Sequence, residues 1–112
     1  MNKLEVQQRV LKHGKPLALY KFCWDEEAST FSSEEQSLVM DFGYIDYVTF
    51  HVSYNCVLNT GWRCVFYTGS GCVLRIGSEC VYSTGDDCVI ITGWGSEGET
   101  GSGCKIIQPD VF

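Results

Sequence analysis

From residue 56 onward the chain alternates apolar and polar positions inside a fixed eight-residue frame. Written from each cysteine, the units are CVLNTGWR, CVFYTGSG, CVLRIGSE, CVYSTGDD, CVIITGWG and SEGETGSG, followed by a half unit, CKII. Gly holds the sixth position of all six complete units, at 61, 69, 77, 85, 93 and 101, and Thr the fifth position in five of them. A fainter unit, VTFHVSYN at 48–55, keeps the large apolar residue at Phe50. A fixed short period outranks local propensity as a guide to fold.

Each unit opens with five residues rich in β-branched and aromatic types and closes on Gly and two turn formers, which predicts a strand and a corner. Strand alternation places positions one, three and five on one face and positions two and four on the other. Arg75 falls in the second set, and burying it unpaired would be costly, so the cysteine set faces inward. The inward ladder is then Cys56, Cys64, Cys72, Cys80, Cys88, Ser96 and Cys104, with Leu58, Phe66, Leu74, Tyr82 and Ile90 beside it. Val57, Val65, Val73, Val81 and Val89 face outward. One octad cannot bury its own face, but stacked octads bury a continuous core and pair every backbone group, which predicts an all-β parallel solenoid. Trp62 and Trp94 lie 32 residues apart, as do the GSG corners at 69 and 101, which favours two octads per 16-residue coil over three. Cys56, Cys72, Cys88 and Cys104 then form one ladder, and Cys64, Cys80 and Ser96 the other. A three-sided coil, or an octad helix shared among three chains, is the structural alternative.

The predicted organisation is a small α/β N-terminal cap over residues 1–38, a solenoid of roughly four coils over 39–108, and a tail at 109–112. Residues 2–12 predict a short helix with Asn2 as N-cap and Leu4, Val10 and Leu11 near one face, stopped by Gly14, Lys15 and Pro16. LALYKFCW and STF read as extended pieces across an acidic turn at Asp25, Glu26 and Glu27, and LVMDF begins the stacking. An uncovered solenoid end is a template for aggregation, so capping is the natural task of the first segment. Pro109 removes a donor and halts the ladder, with Val111 and Phe112 folding over the last rung or docking on a neighbour.

Composition narrows the function classes. The 112 residues carry a net charge of −6, which disfavours nucleic acid as a partner. The absence of a long apolar run argues against a membrane partner, and charges near the N-terminus argue against a signal peptide. A cytoplasmic or virion-associated location is the expectation. Lys3, Arg9, Lys12, Lys15 and Lys21 oppose only Glu5 before residue 22, while residues 25–46 hold seven acids and no base. These charges read as a solvated surface balancing the acidic stretch, with a small basic contact surface as the alternative.

The seven cysteines invite a metal reading, yet laddered thiols about 4.8 Å apart in a line do not converge on one point as a tetrahedral site requires. Read as small apolar packing groups, they need no metal, and Cys72→Ser should then cost on the order of 1–3 kcal/mol for a hydroxyl lacking a partner. The odd count excludes a fully paired disulfide framework, and free thiols are expected. His51 occupies an outward position, away from the thiols, and His13 lies outside the repeat. Asp86 with Asp87, or Glu97 with Glu99, could model a carboxylate pair but fit solvated turn and edge charges. The repeated glycines read as corners free to adopt positive φ, not as a phosphate loop. No catalytic constellation, cofactor site or metal site is predicted.

The pattern TG-x-x-C-V-x-x resembles the octapeptide repeats of bacterial ice-nucleation proteins over residues 56–107. Over most of the chain it also resembles uncharacterised bacteriophage and bacterial proteins with TG-x-x-C octads behind a KF-x-WDEE stretch, matched here by LALYKFCWDEEASTF. Neither resemblance transfers a catalytic residue. The ice-nucleation likeness would imply outward Thr-x-Thr arrays. Here those positions hold Val57 and Asn59, Val65 and Tyr67, Val73 and Arg75, Val81 and Ser83, and Val89 and Ile91, so the hydroxyl lattice is missing. The expected function is a non-enzymatic structural or protein-interaction module, self-associating through solenoid faces or ends. Its candidate interface is the outward valines with Tyr67, Ile91, Trp62 and Trp94. An acidic DNA mimic that inhibits a host enzyme is the alternative.

Overall fold

Octads with a glycine corner leave room for strands of only a few residues, and the computed structural model, which describes residues 1–108, is built from such strands. In chain order they follow α1 (Lys3–Gln7) as β1 (Val10–Lys12), β2 (Lys15–Pro16), a 3-10 turn at Leu19–Lys21, β3 (Cys23–Asp25), β4 (Thr30–Ser32), β5 (Leu38–Asp41), β6 (Thr49–His51) and β7 (Val57–Asn59). The chain continues through β8 (Val65–Tyr67), β9 (Val73–Arg75), β10 (Val81–Ser83), β11 (Val89–Ile91), β12 (Glu97–Glu99) and β13 (Lys105–Ile107). They form two sheets, ordered β13-β11-β9-β7-β5-β1-β2 and β12-β10-β8-β6-β4-β3. From β4 onward successive strands alternate between the sheets, which makes a two-sided parallel β-solenoid of about five turns.

The register is sixteen residues wherever the octads are regular, with Val57 beside Val73, Val65 beside Val81 and Val73 beside Val89. The three-sided alternative would have required twenty-four. Stacking starts earlier than residue 39, because β4 runs parallel to β6 with Phe31 beside Phe50, which adds a turn to the four expected. This first turn is irregular: Val39 pairs with Val57, and Thr30 with Thr49. The extra residues break the eight-residue frame and hide the turn from a period search.

The N-terminal helix is shorter than predicted. Asn2 and Glu5 form a reciprocal capping box, but the helix stops at Gln7. Val10–Lys12 instead becomes a strand that lies antiparallel on β5, with Val10 opposite Met40. The unpaired edge of β5 outbids helix propensity, since an edge left open costs backbone hydrogen bonds. Leu4, assigned to the apolar face, is exposed, while Val6 and Val10 are fully buried. β3 covers β4 in the same antiparallel way, with Trp24 opposite Phe31. Pro109, Val111 and Phe112 lie outside the described residues.

The core is one stack per sheet. Met40, Leu58, Leu74 and Ile90 rise through the first sheet, and Phe31, Phe50, Phe66 and Tyr82 through the second, all buried. Phe50 and Phe66 stack with ring centroids 5.3 Å apart, and Phe42 meets Phe50 edge-on at 5.0 Å. Each such side chain contributes about 1.5–3 kcal/mol by burial.

The corners hold the main departure from the sequence expectation. The repeated glycines at 61, 69, 77, 85, 93 and 101 do not take positive φ. They are glycine because the rung beneath leaves no space for a Cβ: at Gly85 it would meet the Ser70 amide nitrogen at 2.8 Å, and at Gly93 that of Ser78 at 2.8 Å. Positive φ falls two residues later, at the eighth position, where Arg63, Glu79 and Asp87 adopt 56–58° alongside Gly71, Gly95 and Gly103.

The two glycines of one corner should therefore respond oppositely. Gly93→Ala drives a methyl into backbone and is expected to lose about 1–3 kcal/mol in urea unfolding. Gly95→Asn, whose Cβ would meet only Glu79 Cγ at 3.4 Å and whose side chain tolerates the left-handed region, should change stability by less than about 1 kcal/mol.

Candidate functional site

Cys56, Cys64, Cys72, Cys80 and Cys88 have no solvent exposure, Ser96 is buried and Cys104 is partly so. All seven cysteines are unpaired, and Cys23 is exposed. The laddered thiols are not passive packing groups. Each sits at a corner and donates to a carbonyl of the coil below: Cys72 to Ser53 at 3.3 Å, Cys88 to Gly69 at 3.4 Å, and Cys104 to Gly85 at 3.3 Å. The sulfur of Cys104 also accepts from the Cys88 amide at 3.3 Å. Ser96 makes the same pair of bonds, donating to Gly77 O at 3.1 Å and accepting from the Cys80 amide at 3.0 Å. A hydroxyl therefore finds partners here, which corrects the expectation that serine would be costly.

The thiols of adjacent rungs titrate in pairs: interaction with Cys56 and then burial raise Cys72, interaction with Cys64 and then burial raise Cys80, and the same interactions lower Cys56 and Cys64. Burial raises Cys88 as well. Raised thiols are poor nucleophiles and poor metal ligands at neutral pH. Among the described residues no three His, Cys, Asp or Glu side chains gather as a metal would require. His51 faces outward and stacks on Tyr67, with centroids 4.7 Å apart, so no thiol–imidazole pair exists in the ladder. Asp86 accepts from the Ser102 amide at 2.8 Å, a corner role, and Glu97 and Glu99 lie exposed on β12. Among the described residues no helix is long and apolar enough to cross a membrane.

The outward valines do not make one ladder. Val57, Val73 and Val89 lie on the first sheet, and Val65 and Val81 on the opposite one, because successive octads alternate between sheets. Val65, Val73 and Val89 are half-buried between the side chains around them. Tyr67 and Ile91 are likewise separated, one on each sheet.

What the fold does bring together is a row of aromatics along one edge. The corners leading from the first sheet to the second carry Tyr44 and Tyr47, then Trp62, then Trp94, with exposures of 100%, 62%, 58% and 62%. Arg63 ties three rungs of this edge, donating to Tyr47 Oη at 2.7 Å and pairing with Glu79 at 2.5 Å. An open groove of about 1010 Å³ runs beside it, lined in part by Arg9, Tyr44, Trp62 and Arg75. The opposite edge carries one exposed aromatic, Tyr54, followed by Ser70, Asp86 and Ser102 at the equivalent positions. Sequence reasoning found the tryptophans but not Tyr44 and Tyr47, which sit in the irregular first turn.

The seventh position of each octad has a structural task that tryptophan gives up. Asp46 accepts from the Trp62 amide at 2.8 Å, Ser70 from the Asp86 amide at 2.9 Å, and Ser78 from the Trp94 amide at 3.1 Å. An indole has no acceptor to offer the rung above. Trp62, which lies beneath the Ser78 amide, is thus a locally unfavourable choice for the fold, and such choices tend to mark function.

Three lysines of the cap act within the molecule. Lys12 and Lys21 reach Glu35 at 3.3 and 3.1 Å, and Lys3 lies 4.9 Å from the Phe22 ring centroid. Hydrogen bonds from Lys21 and Lys12 hold the Glu35 carboxyl below the usual carboxylate range.

Two outcomes follow from these arrangements. Alkylation of the native protein should modify Cys23 first and the five fully buried thiols only after unfolding, while Cys72→Ser should cost less than about 1 kcal/mol. A lowered Glu35 pKa means that its contribution is complete above the unfolded carboxylate value and fades as pH falls through the folded one. Protection factors of cap amides, taken relative to intrinsic exchange at each pH, should fall over that acidic window, and Glu35→Gln should remove this part of the fall.

Compared with family models, curated proteins and solved structures, the chain matches none. Its function is argued from its own residues.

Proposed function

We propose that this chain is a non-enzymatic structural or protein-interaction module that associates with protein, its own copies included, through the solenoid surface. The observation that carries the reading is the aromatic edge: Tyr44, Tyr47, Trp62 and Trp94 are exposed along one corner column, with Arg63 held among them. Tyr, Trp and Arg are the side chains that most often dominate binding energy at protein interfaces, since they offer large rigid area at low entropic cost. Trp62 supports it further by occupying a position where Ser or Asp would serve the fold better. The valines Val57, Val65, Val73, Val81 and Val89, split between two faces, contribute flanking surface and not a single patch. The octad likeness to bacteriophage proteins is the ground for placing the module in a phage context.

Light scattering with size exclusion across a concentration and salt series tests this reading on the native chain, on Val73→Lys and on Trp62→Ser/Trp94→Ser. The tryptophan variant should fold and associate less. Trp62→Ser also supplies an acceptor to the Ser78 amide, so thermal stability should hold or rise by up to about 1 kcal/mol. Association that ignores both variants would remove the aromatic edge and the first-sheet face as contacts.

A further inference from the structure

The two ends of the solenoid are finished differently. At the N-terminal end each stack is covered by an antiparallel strand, β1 on β5 and β3 on β4. At the other end β13 and β12 are the outermost strands of their sheets among the described residues, paired on one side only, with β11 and β10. Each presents a row of backbone groups available to a further strand.

Their side chains are complementary. β13 reads Lys105-Ile106-Ile107, and Ile106, at the inward third position, remains 43% exposed. β12 reads Glu97-Gly98-Glu99, with Gly98 at the position that Leu58, Phe66, Leu74, Tyr82 and Ile90 fill in the other complete units. The end face therefore has an exposed isoleucine over one sheet, a glycine seated directly against Tyr82 over the other, a base on one strand and two acids on its neighbour.

We infer that this end binds a second copy of the chain about a two-fold axis, β13 of each copy pairing antiparallel with β12 of the other. The inference deepens the interaction reading above and rests on it. Three features select the arrangement. Turns stack at about 4.8 Å, so β12, half a turn behind, lies about 2.4 Å below β13. A two-fold that set like strand on like strand would close one seam and leave the other open by a full strand spacing, whereas crossing the strands closes both equally. Crossing also sets Ile106 opposite Gly98 of the other copy, the one residue of β12 with no side chain to oppose it. Finally, the antiparallel register that aligns those two residues sets Lys105 against Glu99 twice by symmetry, while like-on-like pairing would gather four glutamates. The antiparallel covers at the N-terminal end show that these stacks accept such a neighbour. A cross-section of 25 × 21 Å limits the contact to on the order of 500 Å² per copy, below the standard interface, so the dimer belongs in the micromolar range or weaker.

Sedimentation equilibrium from micromolar to millimolar protein tests the contact with Lys105→Glu, Glu99→Lys and the two combined. Gly98 is left alone, because a Cβ there would meet Tyr82. Each single reversal should weaken dimerisation about tenfold, the double variant should restore it, and salt should weaken the native dimer. Trp62→Ser/Trp94→Ser should leave this end-to-end dimer intact and remove only the further assembly that uses the aromatic edge. A dimer indifferent to all three charge variants overturns the end contact, and if the tryptophan variant abolishes it, the interaction reading stands on the aromatic edge alone. A chain monomeric at millimolar concentration overturns the end contact and leaves that edge to a partner of different sequence.

Discussion

The close approach of one coil to the next at the corners is the constraint on which the rest of the solenoid depends. Strand spacing is set by backbone hydrogen bonds, and the chain must reverse direction within three residues at that same spacing. At Gly77 a Cβ would lie 2.9 Å from Gly61 O, and at Gly85 it would lie 2.8 Å from Ser70 N, so the sixth position admits no side chain at all. The turn is completed at the eighth position by a left-handed residue, which Arg63, Glu79 and Asp87 accept at a cost that the surrounding stack absorbs. One position is restricted by space and the other by torsion angle. Only the first demands glycine at every corner of the six complete octads.

The thiol ladder answers the same constraint from inside. Where two coils meet, the first position needs a small side chain that fills apolar space yet satisfies the carbonyl of the coil beneath. Cysteine does both weakly, and Ser96 does the second more strongly, with bonds of 3.1 and 3.0 Å at its site. A sulfur in the buried cluster that holds Leu58 and Phe66 suffers less desolvation than a hydroxyl would, which favours cysteine in the dense middle of the stack. Ser96 falls where the core thins, beside Gly98. The periodic cysteines, which as a bare sequence feature invite metal or redox chemistry, thereby find a structural explanation in named hydrogen bonds.

Much of this architecture was legible because a period carries its own geometry. Inward and outward positions followed from alternation, and the burial of Arg75 could be excluded on energetic grounds. The residues that escaped were those whose role depends on a neighbour sixteen positions away. Nothing local distinguishes Gly61, excluded from side chains by the rung below, from a glycine chosen for positive φ. Val10–Lys12 looks helical until the open edge of β5 is known. Tyr44 and Tyr47 lie in a turn with extra residues, so no repeat frame reaches them, although they complete the aromatic edge. The five valines formed a single ladder in the sequence and two separate ones in space, because consecutive octads lie on opposite sheets.

A solenoid of identical coils has no internal reason to stop, and its specificity therefore resides where the repeat is broken. The aromatic edge is such a break, since Trp62 abandons the corner acceptor that Asp46, Ser70, Ser78 and Asp86 supply elsewhere. The final rungs are another, with Gly98 in a core position and charges of opposite sign on adjacent strands. The N-terminal cap is the third: it turns the last parallel neighbour into an antiparallel one and is fastened by Lys12 and Lys21 on Glu35. Regular octads contribute rigidity and a fixed spacing, so that each irregular residue is held at a defined height along the stack. That division of labour explains how a chain of near-identical coils presents distinct chemistry at its edge and its end.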